Sequence, residues 1–312
     1  MTIAWFFPGQ GSQSVGMAKD VLESSAAARA VFDQVDGALG EPLSALVLEG
    51  PEADLILTAN AQPAIVATSC AILAAIKERY PALPAPSFAA GHSLGEYSAL
   101  VAAGALTLTD AVRLVRARGQ AMQDAVPAGE GAMAAIMGLS PDQVRALCKE
   151  ASSAGLVSPA NFNAPGQVVI AGETAAVDRA RDLAAENKGK GVALKVSAPF
   201  HCALMAPAAR ALEARLHDVP IASLAFPVVA NVDAQPNADA SRVKDLLVRQ
   251  VDGAVLWEDS VRAMQERGVT LALEIGPGKV LAGLTKRIAK EIKVLSVNDR
   301  AAIDQVGSFL DG

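Results

Sequence analysis

Cysteine is scarce in this chain of 312 residues: Cys70, Cys148 and Cys202 stand far apart. They give neither a disulfide framework nor the close spacing of a metal site, so no metal is expected and a reducing cytoplasm fits. Long apolar runs are also lacking. The longest uncharged one, Ala64 to Ile76, has 13 residues and reads as a core helix, not a membrane span. No basic segment precedes the apolar opening Thr2–Phe7, which breaks at Pro8-Gly9, so no secretory leader is expected. A net charge of −6 without any basic run argues against nucleic acid as a partner. Neither a solenoid-type repeat nor a low-complexity linker is present.

What the chain does have is apolar bulk, with 52% hydrophobic residues and a mean hydropathy of +0.31. At this length that suffices for one large core and a smaller module. Apolar strands are expected at 2–7, 87–90, 225–231, 269–275 and 293–297, alternating with helices. That alternation implies a doubly wound parallel sheet of the α/β class. Residues 40–60 read as turn-rich, and Pro63 reads as the first residue of a helix over 64–79. Residues 128–196 differ. Strand 131–138, helix 140–153, strands 156–162 and 167–171, helix 174–187 and strand 191–196 follow the βαββαβ order of ferredoxin-like modules. The expected division is a large α/β domain (1–127 and 197–312) with a small ferredoxin-like domain (128–196) inserted in it.

The stretch Phe88-Ala-Ala-Gly-His-Ser-Leu-Gly-Glu-Tyr97 reads as strand, sharp turn and helix, with Ser93 at the apex between Gly91 and Gly95. Such a G-x-S-x-G turn is a nucleophile elbow. Backbone N–H groups at the start of the following helix then face a developing oxyanion. The plainer alternative is a glycine-rich turn with an incidental serine. A serine nucleophile needs a base within hydrogen-bond reach, and the chain offers three histidines. His217 falls in the polar helix end Arg215-Leu-His-Asp218 and reads as solvated. His92 adjoins the serine and reads as a buttress of the elbow. His201, in the loop Pro199-Phe-His-Cys202, is the remaining candidate base. Cys202 has no activating partner beside it and reads as a buried filler. No acidic residue stands out as a third triad member, unlike an ordinary hydrolase. A backbone or amide carbonyl would serve instead.

Thr107-Leu-Thr-Asp110 is a capping signal for a helix to about Ala125. On it Arg118 falls on the apolar stripe with Ala111, Leu114, Val115 and Met122. A guanidinium there cannot shed its charge and needs an anionic partner. Two readings stand side by side: a buried ion pair with Glu96, and a clamp for a substrate carboxylate.

Six segments occur together: Pro8-Gly-Gln-Gly-Ser-Gln13, Ala61-Gln-Pro-Ala64, Gly91-His-Ser-Leu-Gly-Glu96, Arg118-Gly119, Asn161-Phe-Asn-Ala-Pro-Gly-Gln167 and Glu274-Ile-Gly-Pro-Gly278. Their order and spacing resemble the malonyl-CoA:acyl carrier protein transacylases of bacterial fatty acid synthesis, over essentially the whole chain. The resemblance implies an α/β-hydrolase-like large domain with a ferredoxin-like insert. It implies Ser93 as nucleophile, His201 as general base, and oxyanion donors at the Gln10 and Leu94 backbone N–H groups. Arg118 would clamp the malonate carboxylate. Gln250 matches the position whose carbonyl steadies the histidine, and His92 a supporting position near the clamp. Phe200, before the histidine, resembles the malonyl-selective form of that loop. The implied substrates are malonyl-CoA and phosphopantetheinylated acyl carrier protein, with no cofactor, nucleic acid or membrane involved. A serine esterase or thioesterase shares the elbow but uses water as acceptor, and a polyketide-type acyltransferase would take another extender unit. Lys188, Lys190, Lys286 and Arg287 are candidates for meeting an acidic carrier.

Overall fold

The computed structural model describes residues 2–127 and 129–311. In chain order its strands are β1 (Ile3–Phe7), β2 (Phe88–Gly91), β3 (Gly131–Met137), β4 (Val157–Ala164) and β5 (Gln167–Glu173). They continue with β6 (Lys190–Ala193), β7 (Val228–Val229), β8 (Pro236–Asn237), β9 (Leu271–Ile275) and β10 (Lys293–Val297). Two sheets result, ordered β10-β9-β1-β2-β7-β8 and β4-β5-β3-β6.

The larger sheet is parallel from β10 to β7. Its central strands β1 and β9 are buried along their whole length, as strands covered on both faces must be. Strand order reverses around β1, which lies between β9 and β2, and the carboxyl edge at such a reversal opens a crevice. The loop leaving β1 carries Gln10 and the turn leaving β2 carries Ser93. The expected strand 225–231 shrinks to β7 because its flanks bond elsewhere. The Ala225 N–H donates to the Ala103 carbonyl at 2.8 Å and that of Ala230 to Gln235 at 3.1 Å. The antiparallel pairing of β8 with β7 is an addition to the expected all-parallel sheet.

Two helical expectations need correction. Residues 40–60 hold helices Leu43–Glu49 and Glu52–Leu55, pinned by buried Leu43, Val47 and Leu55. The long helix begins at Thr58 and runs to Arg79, with Pro63 inside it. Proline there has no N–H for the Ala59 carbonyl, yet the helix continues, packed against helices Ala26–Leu39 and Leu108–Asp124. Its apolar composition would allow a membrane span, but 89% of that window is buried within the protein. An all-round apolar helix is what a large core requires.

The smaller sheet is antiparallel throughout. Its helices Pro141–Ala151 and Thr174–Glu186 pack Val144, Leu147, Val177 and Leu183 into one core with Ile136, Val168 and Ile170. Ser140 caps the first helix with a capping box completed by Gln143, as its sequence suggests. The expected boundary at residue 128 lies outside the described residues; the first strand starts at Gly131. The sheet is tied to the rest along β4, where Phe162 donates to the Val255 carbonyl and Val255 to that of Ala160, both at 2.9 Å. Arg287 adds bonds to the Gln167 side chain and the Pro165 carbonyl.

Candidate active site

Close approach forces glycine at both sides of the elbow. A Cβ on Gly91 would lie 1.9 Å from the Gly95 backbone, and one on Gly95 would lie 2.2 Å from the Phe7 carbonyl oxygen. Between them Ser93 adopts φ +51°, a left-handed conformation uncommon outside glycine. Two side-chain amides hold it there. The Ser93 N–H donates to Asn231 Oδ1 at 2.7 Å, and its carbonyl accepts from Gln250 Nε2 at 3.0 Å. Asn231 Nδ2 also donates to the Gly91 carbonyl at 2.7 Å.

His201 is the second non-glycine residue of the site with positive φ, at +60°, and is buried. Its Nε2 lies 2.7 Å from Ser93 Oγ. Its Nδ1 lies 2.8 Å from the Gln250 carbonyl oxygen and 3.2 Å from that of Gly253. Carbonyl oxygens only accept, so Nδ1 carries the proton and Nε2 presents its lone pair to the serine hydroxyl. Burial, then the neighbouring Arg118 charge, pull the imidazole down to about 3, against the carbonyl bonds that raise it. A neutral imidazole aimed at a hydroxyl is the arrangement a general base needs.

Arg118, 1% exposed, points from helix Leu108–Asp124 into the same place. Nη1 donates to Gln62 Oε1 at 2.7 Å, while Nη2 donates to Gln250 Oε1 at 2.9 Å and to Ser93 Oγ at 3.1 Å. Its Nε has no hydrogen-bond partner among the described residues. The direct ion pair with Glu96 does not form. Glu96 instead accepts from Gln250 Nε2 at 2.8 Å and from the Asn231 N–H at 3.0 Å, so Gln250 stands between acid and base. A buried cation is thus held by neutral acceptors beside the hydroxyl, an arrangement suited to receiving an anion.

The other expected site residues gather around this centre. Neither the Gln10 nor the Leu94 backbone N–H donates to a protein acceptor among the described residues, and both lie in segments packed against the elbow. The Gln10 side chain is anchored to Thr58 Oγ1 at 3.1 Å. Phe200 and Met133 both line the cleft. His92 bonds Asn163 Oδ1 at 2.9 Å and faces the Trp257 ring, with centroids 5.8 Å apart; it makes no bond to Arg118. His217 is exposed and pairs with Asp218. Cys202 is buried, donates to the Pro199 carbonyl and is pushed up to about 11 by that burial, which suits an inert filler. A cleft of about 780 Å³ connects Gln10, Ser93, Arg118, Phe200 and His201.

Asn231, Gln62 and Asn163 had no assigned role in the sequence reading. Gln62 and Asn163 lie inside two of the six quoted segments. Asn231 had the weaker signal of closing an expected strand at the carboxyl edge of a parallel sheet, where sites collect. Among the described residues the arrangement joins a serine, a neutral histidine, free backbone donors and a buried arginine around one cleft. That set can form and break an ester at Ser93 and hold an acyl group that ends in an anion.

The acyl transferase domain family matches residues 4–308. The malonyl CoA-acyl carrier protein transacylase of Bacillus subtilis is 46% identical over 97% of this chain and 95% of its own. The crystal structure of acyl-carrier-protein-S-malonyltransferase from Bartonella henselae superposes with a TM-score of 0.96, at 46% identity and full coverage of both chains. A malonyl-transacylase solved in complex with its type II PKS acyl-carrier protein gives a TM-score of 0.96 at 44% identity, again over the whole of both chains.

Proposed function

Because the chain belongs to the acyl transferase family, and within it to the malonyl-CoA:acyl carrier protein transacylases, we infer that it moves a malonyl group from malonyl-CoA to acyl carrier protein. The acceptor is the carrier's phosphopantetheine thiol, and the route is ping-pong through a malonyl ester on Ser93. The observation that carries this reading is the Arg118 guanidinium, buried and bonded to the nucleophile's oxygen, with no carboxylate within salt-bridge distance among the described residues.

In the first half-reaction His201 Nε2 takes the Ser93 proton while Oγ attacks the thioester carbonyl. The Gln10 and Leu94 N–H groups receive the oxyanion, each donor contributing about 10²–10³ in rate. The tetrahedral intermediate collapses, the coenzyme A thiolate leaves and takes the proton from His201, and a malonyl-serine ester remains. The Gln250 and Gly253 carbonyls stabilise the imidazolium that exists between these events. Arg118 turns from Gln250 and Ser93 Oγ to the malonate carboxylate and holds the acyl chain away from water. The carrier thiol then enters and the steps run in reverse. Both half-reactions need only the thioester and the acceptor thiol. The free, buried cysteines suit a reducing cytoplasm.

The intact mass of the protein after mixing with malonyl-CoA tests this. We expect a gain of one malonyl group, stable in buffer and lost on adding phosphopantetheinylated carrier, with malonyl-carrier appearing in step. Hydrolysis of the adduct at the same rate with and without carrier would indicate an esterase instead.

A further inference from the structure

Gln250 touches three working parts at once. Its backbone carbonyl accepts from His201 Nδ1, its Oε1 accepts from Arg118 Nη2, and its Nε2 donates to the Ser93 carbonyl. An amide can be turned end for end at little steric cost, so something must select the working orientation. Turned over, its NH₂ would face the guanidinium, donor against donor, and its oxygen would face the Ser93 carbonyl, acceptor against acceptor. The Ser93 carbonyl is a weak selector alone, because it also accepts the Glu96 N–H at 3.0 Å. Arg118 selects it only until the guanidinium turns to a substrate carboxylate, and the partner that remains then is the Glu96 carboxylate, 2.8 Å from Gln250 Nε2. Glu96 sits in the first turn of the helix that follows the elbow, 3% exposed.

We propose that Glu96 is a positioning residue: its carboxylate locks the Gln250 side-chain amide in the orientation that presents an acceptor to Arg118 and a donor to the Ser93 backbone. The same oxygen, Oε2, also accepts the Asn231 N–H, and Asn231 caps the Ser93 N–H. Both residues whose side chains clasp the left-handed serine are therefore tied to one carboxylate, Gln250 through its side-chain amide and Asn231 through its backbone N–H. The separation of Glu96 from Arg118 follows from the same device. A direct ion pair would hold the guanidinium fork with a full charge, whereas the interposed amide keeps acid and guanidinium apart and holds the fork through a neutral acceptor that an incoming carboxylate can displace. Burial pushes the Glu96 carboxyl up to about 7, against the pull of Gln250, Asn231 and Arg118, and the two N–H donors on Oε2 keep that oxygen an acceptor in either protonation state.

This inference rests on the transacylase reading, and the test keeps the two apart. Rapid-quench loading of malonyl and acetyl groups onto Ser93 is measured for the wild type, Glu96→Met, Glu96→Gln, Gln250→Met and the double variant Glu96→Met/Gln250→Met. Melting temperature and folded fraction are recorded alongside. Loss of one buried hydrogen bond to a charged group corresponds to about ten- to a hundredfold in rate. Glu96→Met should therefore lower the malonyl loading rate about ten- to a hundredfold, with little change in KM and a smaller fall for acetyl. Glu96→Gln is close to isosteric and keeps an acceptor, so it should fold and restore loading to within about threefold of wild type. In the Gln250→Met background, adding Glu96→Met should cost much less than it does alone, because the two act in series. Equal falls for malonyl and acetyl, additive with Gln250→Met, would overturn the proposal in favour of a purely structural acid. So would Glu96→Gln falling as far as Glu96→Met. Failure of the wild type to load malonyl would instead remove the transacylase reading beneath it.

Discussion

The two sheets contribute to the cleft in different ways. Among the described residues, every group bonded to Ser93 Oγ comes from outside the smaller sheet: His201 from a loop, Arg118 from helix Leu108–Asp124. Asn231 and Gln250, which fix the Ser93 backbone, do too. The smaller sheet lends Met133, Asn161, Asn163 and Val169 to the wall. Of these, only Asn163 bonds a residue of the elbow, namely His92, among the described residues. Reacting atoms must be held to within about half an ångström, which favours a buried frame of satisfied polar groups. A wall needs only shape. Bond making is thus assigned to the parallel sheet and its loops, and fit around the acyl group to the antiparallel one.

The largest effects should fall on the first side of this division. Ser93→Ala should abolish the covalent malonyl adduct. His201→Ala should slow its formation by about 10²–10⁴, followed by rapid quench and intact mass. Met133→Ala, on the wall, should lose less than about tenfold; a loss matching that of His201→Ala would break the comparison. Phe200 precedes the base in the chain and lines the same cleft. Phe200→Ser should narrow the preference for malonyl over methylmalonyl, which for one methyl group amounts to about 1–3 kcal/mol. An unchanged ratio of the two kcat/KM values would move the selectivity elsewhere.

Smaller again is the link between the sheets. Asn163→Ala removes one neutral hydrogen bond, worth about 0.5–1.5 kcal/mol, so malonyl loading should fall a few-fold to about tenfold. A thousandfold loss would mean that the smaller sheet takes part in the chemistry. The smallest expected change is with pH. Burial and Arg118 hold His201 down to about 3, so its imidazole stays unprotonated well below its ordinary 6.5. As pH falls through 6.5, kcat/KM for malonyl-CoA should therefore show no loss assignable to this histidine. That reading fails if an acid limb near 6.5 disappears when His201 alone is replaced.

Legibility in the sequence followed the same line. The smaller sheet's βαββαβ order could be read because its signals are local: alternating strands, the Ser140 cap, the Pro165-Gly166 turn. The elbow was legible because two glycines flank one serine. Arg118 stood out as a charge at an apolar position, and of the two readings left open the ion pair with Glu96 does not form. Periodicity shows which face a residue takes, not that Gln250, 132 positions away, comes between it and Glu96. The helix through Pro63 and the helices within 40–60 were missed for a related reason. Local propensity favours a start at the proline and turns before it, while packing against Ala26–Leu39 and Leu108–Asp124 carries helix through. Asn231 was missed because an asparagine after a strand differs from any other until the chain folds around it.

Arg118 offers the most direct test, because the buried cation is what separates a malonyl transferase from a general one. Malonyl-CoA and acetyl-CoA loading by Arg118→Ala and Arg118→Lys are measured beside the wild type, together with melting temperatures. Two charge-assisted hydrogen bonds to the malonate carboxylate are lost, so Arg118→Ala should lose about a hundredfold or more for malonyl relative to acetyl. Acetyl loading should hold or rise. Arg118→Lys keeps the charge without the fork and should fall between the two. An equal fall for both substrates with a lowered melting temperature would contradict this, and would make Arg118 a structural cation only.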